Sequence, residues 1–363
     1  MSIGRVRPAV TGLPAYRPGK AAEQAEEEHG IADAIKLASN ENPYEPIAPV
    51  VEAMQAAARG VNRYADHRAT ELRAAISEWI EVDEDQVGVG CGSVGLLQQL
   101  FLTFVDPGDA VVSPWRSFEA YPIFAQLMNA TFVEVPLVDH TFDLEAVASA
   151  VTDATKLVLL ATPNNPTGTA VSTTAIRAMV EQLPGDVVVV VDEAYREFLD
   201  PSFGDPVRDL VPDFPNVAVT RTLSKAYGLA GARTGYLVGH ADLVTEVDKT
   251  LVPFAVNAVA QAGALAAVRN VGDYQPAIDR LLTERRRVVD ALTAAGWRLP
   301  DAQANFVYLD LGERTVDVCL ELERRGVVTR PFAGEGIRVT IGSPAENDKF
   351  LAALADVQGS TAR

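Results

Sequence analysis

Five consecutive valines, Val187 to Val191, constrain the fold of this chain more than any other feature. A half-exposed strand alternates apolar and polar residues, so an unbroken valine run predicts a strand that is buried on both faces. The run ends directly in D-E-A-Y, from Asp192 to Tyr195. Short apolar runs alternate with helical patterns on either side of it. This α/β alternation predicts a mostly parallel sheet flanked by helices.

Chemically useful side chains follow several of the predicted strands. Ser93, Asn165, Asp192 and Lys225 each come shortly after such a strand end. Sheets of this kind bind their ligands beyond the carboxyl ends of the strands. The coincidence therefore favours a site of chemistry at this edge over four unrelated structural residues.

The stretch around Lys225 reads T-R-T-L-S-K-A-Y-G-L-A-G-A-R-T-G-Y. Its small residues allow a ligand and the backbone to approach closely, and its hydroxyls, together with Arg233, can hold a phosphate. A lysine next to an arginine and an apolar pocket loses basicity. An amine nucleophile needs this loss, because it must be unprotonated near neutral pH. The alternative is a lysine on an ordinary surface helix.

A second glycine-rich turn lies earlier in the chain. The strand predicted for residues 87–89 breaks at G-C-G-S, and apolar residues at helical spacing follow from Val94 to Phe104. A strand, a glycine turn and a helix N-terminus together form a cradle for an anion such as phosphate. A tight structural turn without a ligand is the alternative.

The length of 363 residues predicts two domains. Residues 41–257 carry the strand–helix alternation and form the expected large domain. After Pro253 longer helical patterns predict a smaller α+β domain, 258–363, to which we assign the N-terminal arm, 1–40. Pro8, Pro14 and Pro18 interrupt this arm. The acidic run from Ala22 to His29 is interpreted as a solvated face.

Composition excludes several classes of function. A net charge of −18 argues against nucleic acid and anionic membranes as partners. Two cysteines far apart, Cys91 and Cys319, predict reduced thiols and a cytoplasmic location. The four histidines lack the spacing of metal ligands, so no metal site is predicted. No signal peptide and no membrane-spanning segment is expected.

The strand-end residues, N-N-P-T-G, the G-C-G-S turn and an arginine eight residues after the lysine occur together and in a fixed order. Together they resemble the pyridoxal-phosphate-dependent aminotransferases of fold type I, particularly the class II branch with the histidinol-phosphate aminotransferases. The resemblance runs from S-N-E-N-P to I-R-V-T, nearly the whole chain. It implies the cofactor pyridoxal 5′-phosphate, amino acid and 2-oxo acid substrates, and a homodimer.

The resemblance also implies a role for each matched residue. Lys225 would bind the cofactor covalently and move the proton, and Asp192 would pair with the protonated pyridine nitrogen. Tyr195 and Asn165 would hydrogen-bond the ring oxygen. The other implied contacts are Gly92, Ser93, Val94, Thr222, Ser224 and Arg233 to the phosphate, Tyr64 to the phosphate across the dimer interface, Phe118 stacked on the ring, and Asn40, Arg330 and Arg338 to the substrate.

The turn around Val94 bears on the substrate. Many histidinol-phosphate enzymes carry an acidic pair after this turn, whereas here Val94 and Gly95 occupy those places. G-C-G-S-V, W-R-S-F-E-A-Y and V-D-H-T-F-D-L resemble the actinobacterial aromatic amino acid aminotransferases. The sequence therefore favours phenylalanine or tyrosine as amino donor and 2-oxoglutarate as acceptor, by a ping-pong cycle. Histidinol phosphate as substrate, a lyase or decarboxylase on the same fold, and a non-catalytic regulator are the alternatives.

Overall fold

The structure is a computed structural model and describes residues 4, 6–13 and 19–361. Two of the predicted breaks in the N-terminal arm, Pro14 and Pro18, lie outside the described residues. The described chain divides into two compact units. The first comprises Pro46–Asn165, Ala170–Tyr274 and the described part of residues 1–15; the second comprises the described part of residues 16–45, Pro166–Thr169 and the chain from Gln275 onward.

A seven-stranded sheet forms the centre of the first unit. With elements numbered along the chain, its strands lie in the order β2 (Val87–Gly90), β8 (Gly235–Gly239), β7 (Val217–Thr222), β6 (Val188–Asp192), β5 (Thr155–Ala161), β3 (Ala110–Trp115) and β4 (Thr131–Pro136). The pairs from β7 to β4 are parallel, and β8 is antiparallel to both of its neighbours. The predicted mostly parallel sheet is confirmed.

The valine run forms the fully buried strand β6 in the middle of this sheet. Val189, Val190 and Val191 have no exposed surface. Branched side chains pack well on both faces of a pleated sheet, and helices cover those faces. The register pairs Asp192 with Thr220 of β7 on one side and with Ala161 of β5 on the other. Neighbouring strands thus end together at one edge.

The described part of the first unit also contains these helices: α1 (Pro8–Thr11), α3 (Ala48–Ala58), α4 (Thr70–Ile80), α5 (Gly92–Phe104), α6 (Ala120–Met128), α7 (Leu144–Ser149), α8 (Thr173–Val180), α9 (Pro206–Asp209), α10 (Ala241–Asp248) and α11 (Ala258–Arg269). Helix α11 packs against α3 and α4, so this unit continues past residue 257, the boundary expected from the sequence, to Tyr274. A change in the helical pattern marks a new type of element, but only packing decides which core that element joins.

The second unit contains two small sheets and four helices. Antiparallel strands β11 (Arg330–Phe332), β12 (Gly336–Thr340) and β9 (Phe306–Asp310) form one sheet, and parallel strands β1 (Ile35–Lys36) and β10 (Val327–Val328) form the other. The helices are α2 (Ala22–His29), α12 (Gln275–Ala294), α13 (Thr315–Arg324) and α14 (Pro344–Thr361). No helix in the described part of the chain combines the length and the apolar character that a bilayer crossing demands.

The acidic run is helix α2, and its Glu23, Glu27 and Glu28 are exposed, as predicted for a solvated face; Ala25 of the same helix is completely buried against Ala38 and Val328. Another element differs from the sequence-based interpretation. The segment after Arg233, read only as a small-residue ligand segment, continues into strand β8 in the interior of the large sheet. Its glycines and short apolar stretch resemble a loop in sequence, and the neighbouring strands supply the pairing that makes it a strand.

Candidate active site

The sheet brings the ends of four strands to one edge of the first unit. Strand β2 runs in the same direction as β5, β6 and β7, because it pairs antiparallel with β8, which in turn pairs antiparallel with β7. Each of these strands ends close to a residue that the sequence analysis selected: Ser93 after β2, Asn165 after β5, Asp192 in β6 and Lys225 after β7. These residues share the carboxyl edge of the sheet, where such folds bind ligands.

Asp192 is a buried carboxylate with two hydroxyl donors. Its Oδ2 accepts a hydrogen bond of 2.9 Å from Tyr121, and its Oδ1 accepts one of 3.1 Å from Thr220. Burial raises the pKa of Asp192 to about 6, while these bonds and one from the Ala194 backbone act in the opposite direction. A buried carboxylate with a raised pKa is a good partner for a cation, because a positive charge nearby restores its ionised form.

Glu193, the residue directly after Asp192, belongs to a different charge cluster. The guanidinium of Arg221 donates to Glu193 over 2.8 Å and to Asp205 over 2.6 Å. Burial raises the pKa of Glu193, although the nearby arginines, Arg221 first and Arg196 second, oppose that shift. Arg221 is thus paired inside the protein. It is not available as a ligand-binding cation at the strand ends.

The glycine turn before α5 lies directly under Arg233. Gly92 has a φ of +70°, and a Cβ placed on it would lie 2.5 Å from Nη2 of Arg233. A Cβ on Gly235 would lie 2.4 Å from the backbone nitrogen of Ser93. Gly92 therefore favours glycine for its left-handed conformation, and Gly235 requires glycine for space, because the atoms around it are backbone. The close approach holds the first turn of α5, where Ser93 and Val94 begin the helix, against the end of β8.

Hydroxyl groups complete this turn into an anion cradle. Thr222 Oγ1 donates to Ser224 Oγ over 2.9 Å, and the Ser224 backbone donates to Thr222 Oγ1 over 3.2 Å. Arg233 contacts Ser224 Oγ at 3.4 Å and donates to the carbonyl of Ala230 at 3.0 Å. Backbone amides at a helix N-terminus, two hydroxyls and a guanidinium are the donors that a phosphate group accepts.

Lys225 is half-buried, and its Nζ lies 5.9 Å from the centre of the Tyr195 ring. Tyr195 itself is buried, with 5% of its surface exposed. Lys225 follows the β7 strand end in the turn between β7 and β8, not a surface helix. The structure thus excludes the surface-helix alternative for this lysine.

The two asparagines of N-N-P-T-G differ in their surroundings. Asn164 is completely buried; it accepts a hydrogen bond from Ser117 Oγ at 2.8 Å and donates to the carbonyl of Arg116 at 3.0 Å. Asn165 is half-buried at the strand-end edge. Asn164 therefore fixes two loops to each other, which leaves Asn165 as the asparagine suited to bind a ligand.

Phe118 lies in the turn that precedes α6. Its ring meets the ring of Tyr121 edge to face, with centroids 5.6 Å apart. The backbone N–H of Tyr121 also donates to the carbonyl of Phe118 over 3.1 Å. One turn of chain thus places both an aromatic ring and the hydroxyl donor of Asp192.

The predicted substrate residues lie in the second unit. Arg338 of β12 stands directly opposite Arg330 of β11 in the antiparallel register. Nη2 of Arg338 donates to the carbonyl of Ala38 over 2.6 Å. Asn40 exchanges two hydrogen bonds with Thr340 Oγ1, at 2.9 and 3.1 Å, which hold its loop on β12. Directly opposite residues of an antiparallel pair project from the same face, so both guanidinium groups belong to one face of this small sheet.

Tyr64 lies on the surface of the first unit, with 83% of its area exposed. Its ring stacks on Phe254, with centroids 4.4 Å apart and planes 21° apart. Phe254 is itself 40% exposed and has a φ of +58°. An exposed aromatic pair is a frequent mark of an interaction surface.

Two residues that contact Asp192, Tyr121 and Thr220, have no role in the sequence-based prediction. A signal for Thr220 is available in the sequence, since it lies in the buried strand β7, two residues ahead of Thr222. The contact of Tyr121 with Asp192 spans 71 residues and depends on the register of β3, β5 and β6. No local pattern reports such a contact.

Metal ligands are grouped once among the described residues, far along the chain from the strand-end set. Glu28, His29 and Glu323 bring their ligand atoms within 4.8 Å of one another. The Lys20 ammonium forms salt bridges with both glutamates of this group. A cation of the protein's own thus already pairs with both acids.

The chain belongs to the class I and II aminotransferases: residues 32–354 match the sequence model of the family "Aminotransferase class I and II". Membership implies pyridoxal phosphate as cofactor and amino acids with oxo acids as substrates. The strand-end residues fit this cofactor. The buried carboxylate of Asp192 suits a cationic partner, the cradle with glycine at its tight positions suits a phosphate, and the half-buried Lys225 directly follows Ser224 of that cradle in sequence.

Relatives and solved structures agree with this membership. The aromatic amino acid aminotransferase of Thermobifida fusca (strain YX) is 49% identical over 347 residues, 95% of either chain. That of Streptomyces coelicolor is 46% identical over 352 residues, 96% of either chain. The histidinol-phosphate aminotransferase from Sinorhizobium meliloti, solved in complex with pyridoxal-5′-phosphate, superposes with a TM-score of 0.90 at 28% identity and covers 99% of both chains. The expected fold type I of this enzyme group is thereby confirmed.

Proposed function

We propose that this protein transfers the amino group of phenylalanine or tyrosine to 2-oxoglutarate in a ping-pong cycle. The observation that carries the substrate class is the similarity over 95% of the chain to a relative named as an aromatic amino acid aminotransferase. The G-C-G-S-V turn supports the same class, because it lacks the acidic pair of many histidinol-phosphate enzymes. We keep the cytoplasmic location as a prediction from the cysteine content.

We assign the cofactor ring to the residues at the strand ends. Asp192 holds the protonated pyridine nitrogen, and Tyr195 and Asn165 hold the ring oxygen. When bound, pyridoxal phosphate supplies an electron sink for the charge that develops at the substrate Cα. Lys225 binds the cofactor covalently and then, as a free amine, moves the Cα proton. Phe118 stacks on the ring.

We assign the cofactor phosphate to the cradle formed by Gly92, Ser93, Val94, Thr222, Ser224 and Arg233. The amides of Ser93 and Val94 point out of the N-terminus of a 13-residue helix, where the helix dipole favours an anion. The hydroxyl pair of Thr222 and Ser224 can redirect one proton toward a phosphate oxygen. Arg233 adds the full positive charge.

We assign the substrate α-carboxylate to Arg338 and to Asn40, whose loop is hydrogen-bonded to Thr340 of the same strand β12. A guanidinium binds a carboxylate through two parallel hydrogen bonds, which fixes orientation as well as charge. The 2.6 Å bond from Arg338 to Ala38 uses one terminal nitrogen and fixes the position of the side chain. Each substrate of the cycle carries such a carboxylate, so Arg338 serves both half-reactions.

A panel of amino donors tests the substrate class. We expect phenylalanine and tyrosine to give the largest kcat/KM with 2-oxoglutarate. A much larger value for histidinol phosphate would overturn the assignment. Lys225→Ala tests the chemistry, because it removes the amine that the reaction needs; it should abolish turnover for every donor. Full turnover by this variant would exclude the class of reaction.

Histidinol phosphate remains the second candidate because of one observation. Arg330 lies opposite Arg338 in the register of β11 and β12, so both guanidinium groups belong to one face of the small sheet. A guanidinium on that face can bind the phosphate of histidinol phosphate or the second carboxylate of 2-oxoglutarate. Arg330→Gln separates the two candidate substrates. It should raise the KM for histidinol phosphate if that compound is the substrate, and it should raise only the KM for the 2-oxo acid if it is not.

We also propose a homodimer in which Tyr64 of one subunit binds the phosphate at the other subunit's site. The exposed ring pair of Tyr64 and Phe254 supports an interaction surface here. Mixing Lys225→Ala subunits with Tyr64→Ala subunits tests it, because one site in each mixed dimer regains both residues. Activity above the parents' average is expected. If subunit exchange is verified and activity stays at that average, Tyr64 does not act across the interface.

A further inference from the structure

The carboxylate of Asp192 is held at both of its oxygens. Tyr121 donates to Oδ2 over 2.9 Å and Thr220 donates to Oδ1 over 3.1 Å. The two donors come from different elements, Tyr121 from α6 and Thr220 from β7. A carboxylate with one fixed donor can still rotate about its Cβ–Cγ bond, whereas two donors on opposite oxygens fix the plane of the group.

Both donors are fixed in turn by their own surroundings. Tyr121 has no exposed surface, packs its ring against Phe118 and bonds its backbone to the turn after β3. Thr220 is equally buried and is the register partner of Asp192 in the sheet. Neither side chain can follow the carboxylate if it turns. The pair therefore acts as a rigid clamp on Asp192.

The direction of the Tyr121 hydrogen bond follows from the chemistry of the groups. Burial and the neighbouring carboxylate of Asp192 raise the pKa of Tyr121 well above its usual range, so the phenol keeps its proton and donates it. A carboxylate has about four lone-pair sites. The clamp uses one site on each oxygen and the Ala194 amide uses another, so the direction that remains for a further partner is fixed.

We propose that Tyr121 and Thr220 are positioning residues that aim the Asp192 carboxylate at the pyridine nitrogen of the cofactor and favour its ionised form. The inference rests on the proposed role of Asp192 and goes beyond it, since it assigns the selectivity for a ring nitrogen to two residues that do not touch the ring. A hydrogen bond to a charged acceptor favours the charged form. Removing either donor therefore weakens the charge pair with the ring nitrogen and leaves the phosphate contacts intact.

A pair of cofactor analogues tests the clamp on the apoprotein. Pyridoxamine phosphate has no carbonyl to react with Lys225, so its affinity reports only non-covalent contacts. Its 1-deaza analogue has C–H in place of the ring nitrogen. The ratio of the two dissociation constants measures the preference for a ring nitrogen, and it cancels effects on the phosphate cradle. Quenching of tryptophan fluorescence on titration gives both constants.

The informative variants are Tyr121→Phe, which keeps the ring against Phe118, and Thr220→Val, which keeps the shape of threonine. Each variant should reduce the ratio of the two dissociation constants about tenfold, mainly because it binds pyridoxamine phosphate more weakly. Tyr274→Phe is the matched control, because Tyr274 is a buried tyrosine whose hydroxyl bonds to nothing in the described chain. It should leave the ratio at the wild-type value.

Asp192→Asn separates failure of the clamp from failure of the proposed function. It should abolish the preference; if the preference survives, Asp192 does not hold the ring nitrogen and the proposed role falls with the inference. If Asp192→Asn abolishes the preference while Tyr121→Phe and Thr220→Val keep it, the inference alone is overturned. Equal losses for both analogues in Tyr121→Phe likewise overturn it, since they indicate a structural role only.

Discussion

Gly235→Ala should damage both the stability of the large unit and the phosphate cradle. An added Cβ would lie 2.4 Å from the Ser93 nitrogen, 2.7 Å from the Gly92 carbonyl carbon and 2.9 Å from the Arg221 oxygen. All three are backbone atoms, so no side chain can rotate away. Ordinary contact begins at 3.4 Å, and the turn before α5 must therefore move by about 1 Å.

The magnitude follows from this displacement. Overpacking of this kind costs about 1–3 kcal/mol of the free energy of unfolding. A shift of about 1 Å also takes the Ser93 amide out of hydrogen-bond range of a phosphate oxygen. One hydrogen bond to a charged acceptor is worth roughly 1.5–3 kcal/mol, which corresponds to a roughly 10- to 100-fold weaker binding of pyridoxamine phosphate.

Gly231→Ala provides the control, because a Cβ there meets no atom within 4 Å. Urea unfolding of the apoprotein, followed by circular dichroism, gives the free energy for both variants. Fluorescence titration gives the affinity. If Gly235→Ala matches Gly231→Ala in stability and affinity, the close approach of β8 to the glycine turn does not exist and the argument for the cradle fails.

Three further results are expected. Because the pKa of Asp192 is raised from 3.8 to about 6, the folded apoprotein binds this proton more tightly than the unfolded chain, and its stability falls as pH rises from about 4 to about 6. Asp192→Asn should remove that fall, which amounts to about 2 kcal/mol of unfolding free energy between pH 4 and pH 8. Equal differences in urea midpoint from wild type at both pH values would contradict it. Asn164→Ala should cost about 1–3 kcal/mol of unfolding free energy by removing a buried loop contact, whereas Asn165→Ala should mainly weaken cofactor binding. Urea unfolding and fluorescence titration measure the two effects. The reverse pattern would show that Asn164 binds the cofactor and Asn165 stabilises the loops. Arg221→Met should cost about 3–5 kcal/mol of unfolding free energy, because it removes the main ion-pair partner of the buried Glu193 carboxylate. Arg208→Met, at an exposed ion pair, should cost about 0–1 kcal/mol. Similar urea midpoints for the two variants would argue against a buried network.

The sequence by itself determined the sheet and most of the site. A run of valines has no polar side chain to turn toward water, so its strand had to be covered on both faces. Reactive residues directly after such strands had to share one edge, because parallel strands end together. Lys225, Asp192, Asn165 and the glycine turn before Ser93 were therefore predictable, since each is marked by its own neighbours in sequence.

Only the tertiary structure decided how those residues are held. The bond from Tyr121 to Asp192 depends on the register of several strands, and local sequence carries no record of register between distant strands. Strand β8 was equally hidden, because its pairing with β2 and β7 fixes a glycine-rich segment that resembles a loop. Local patterns state which residues are apolar or reactive. The contacts across the sheet decide which of them meet, and those contacts form only when the whole core packs.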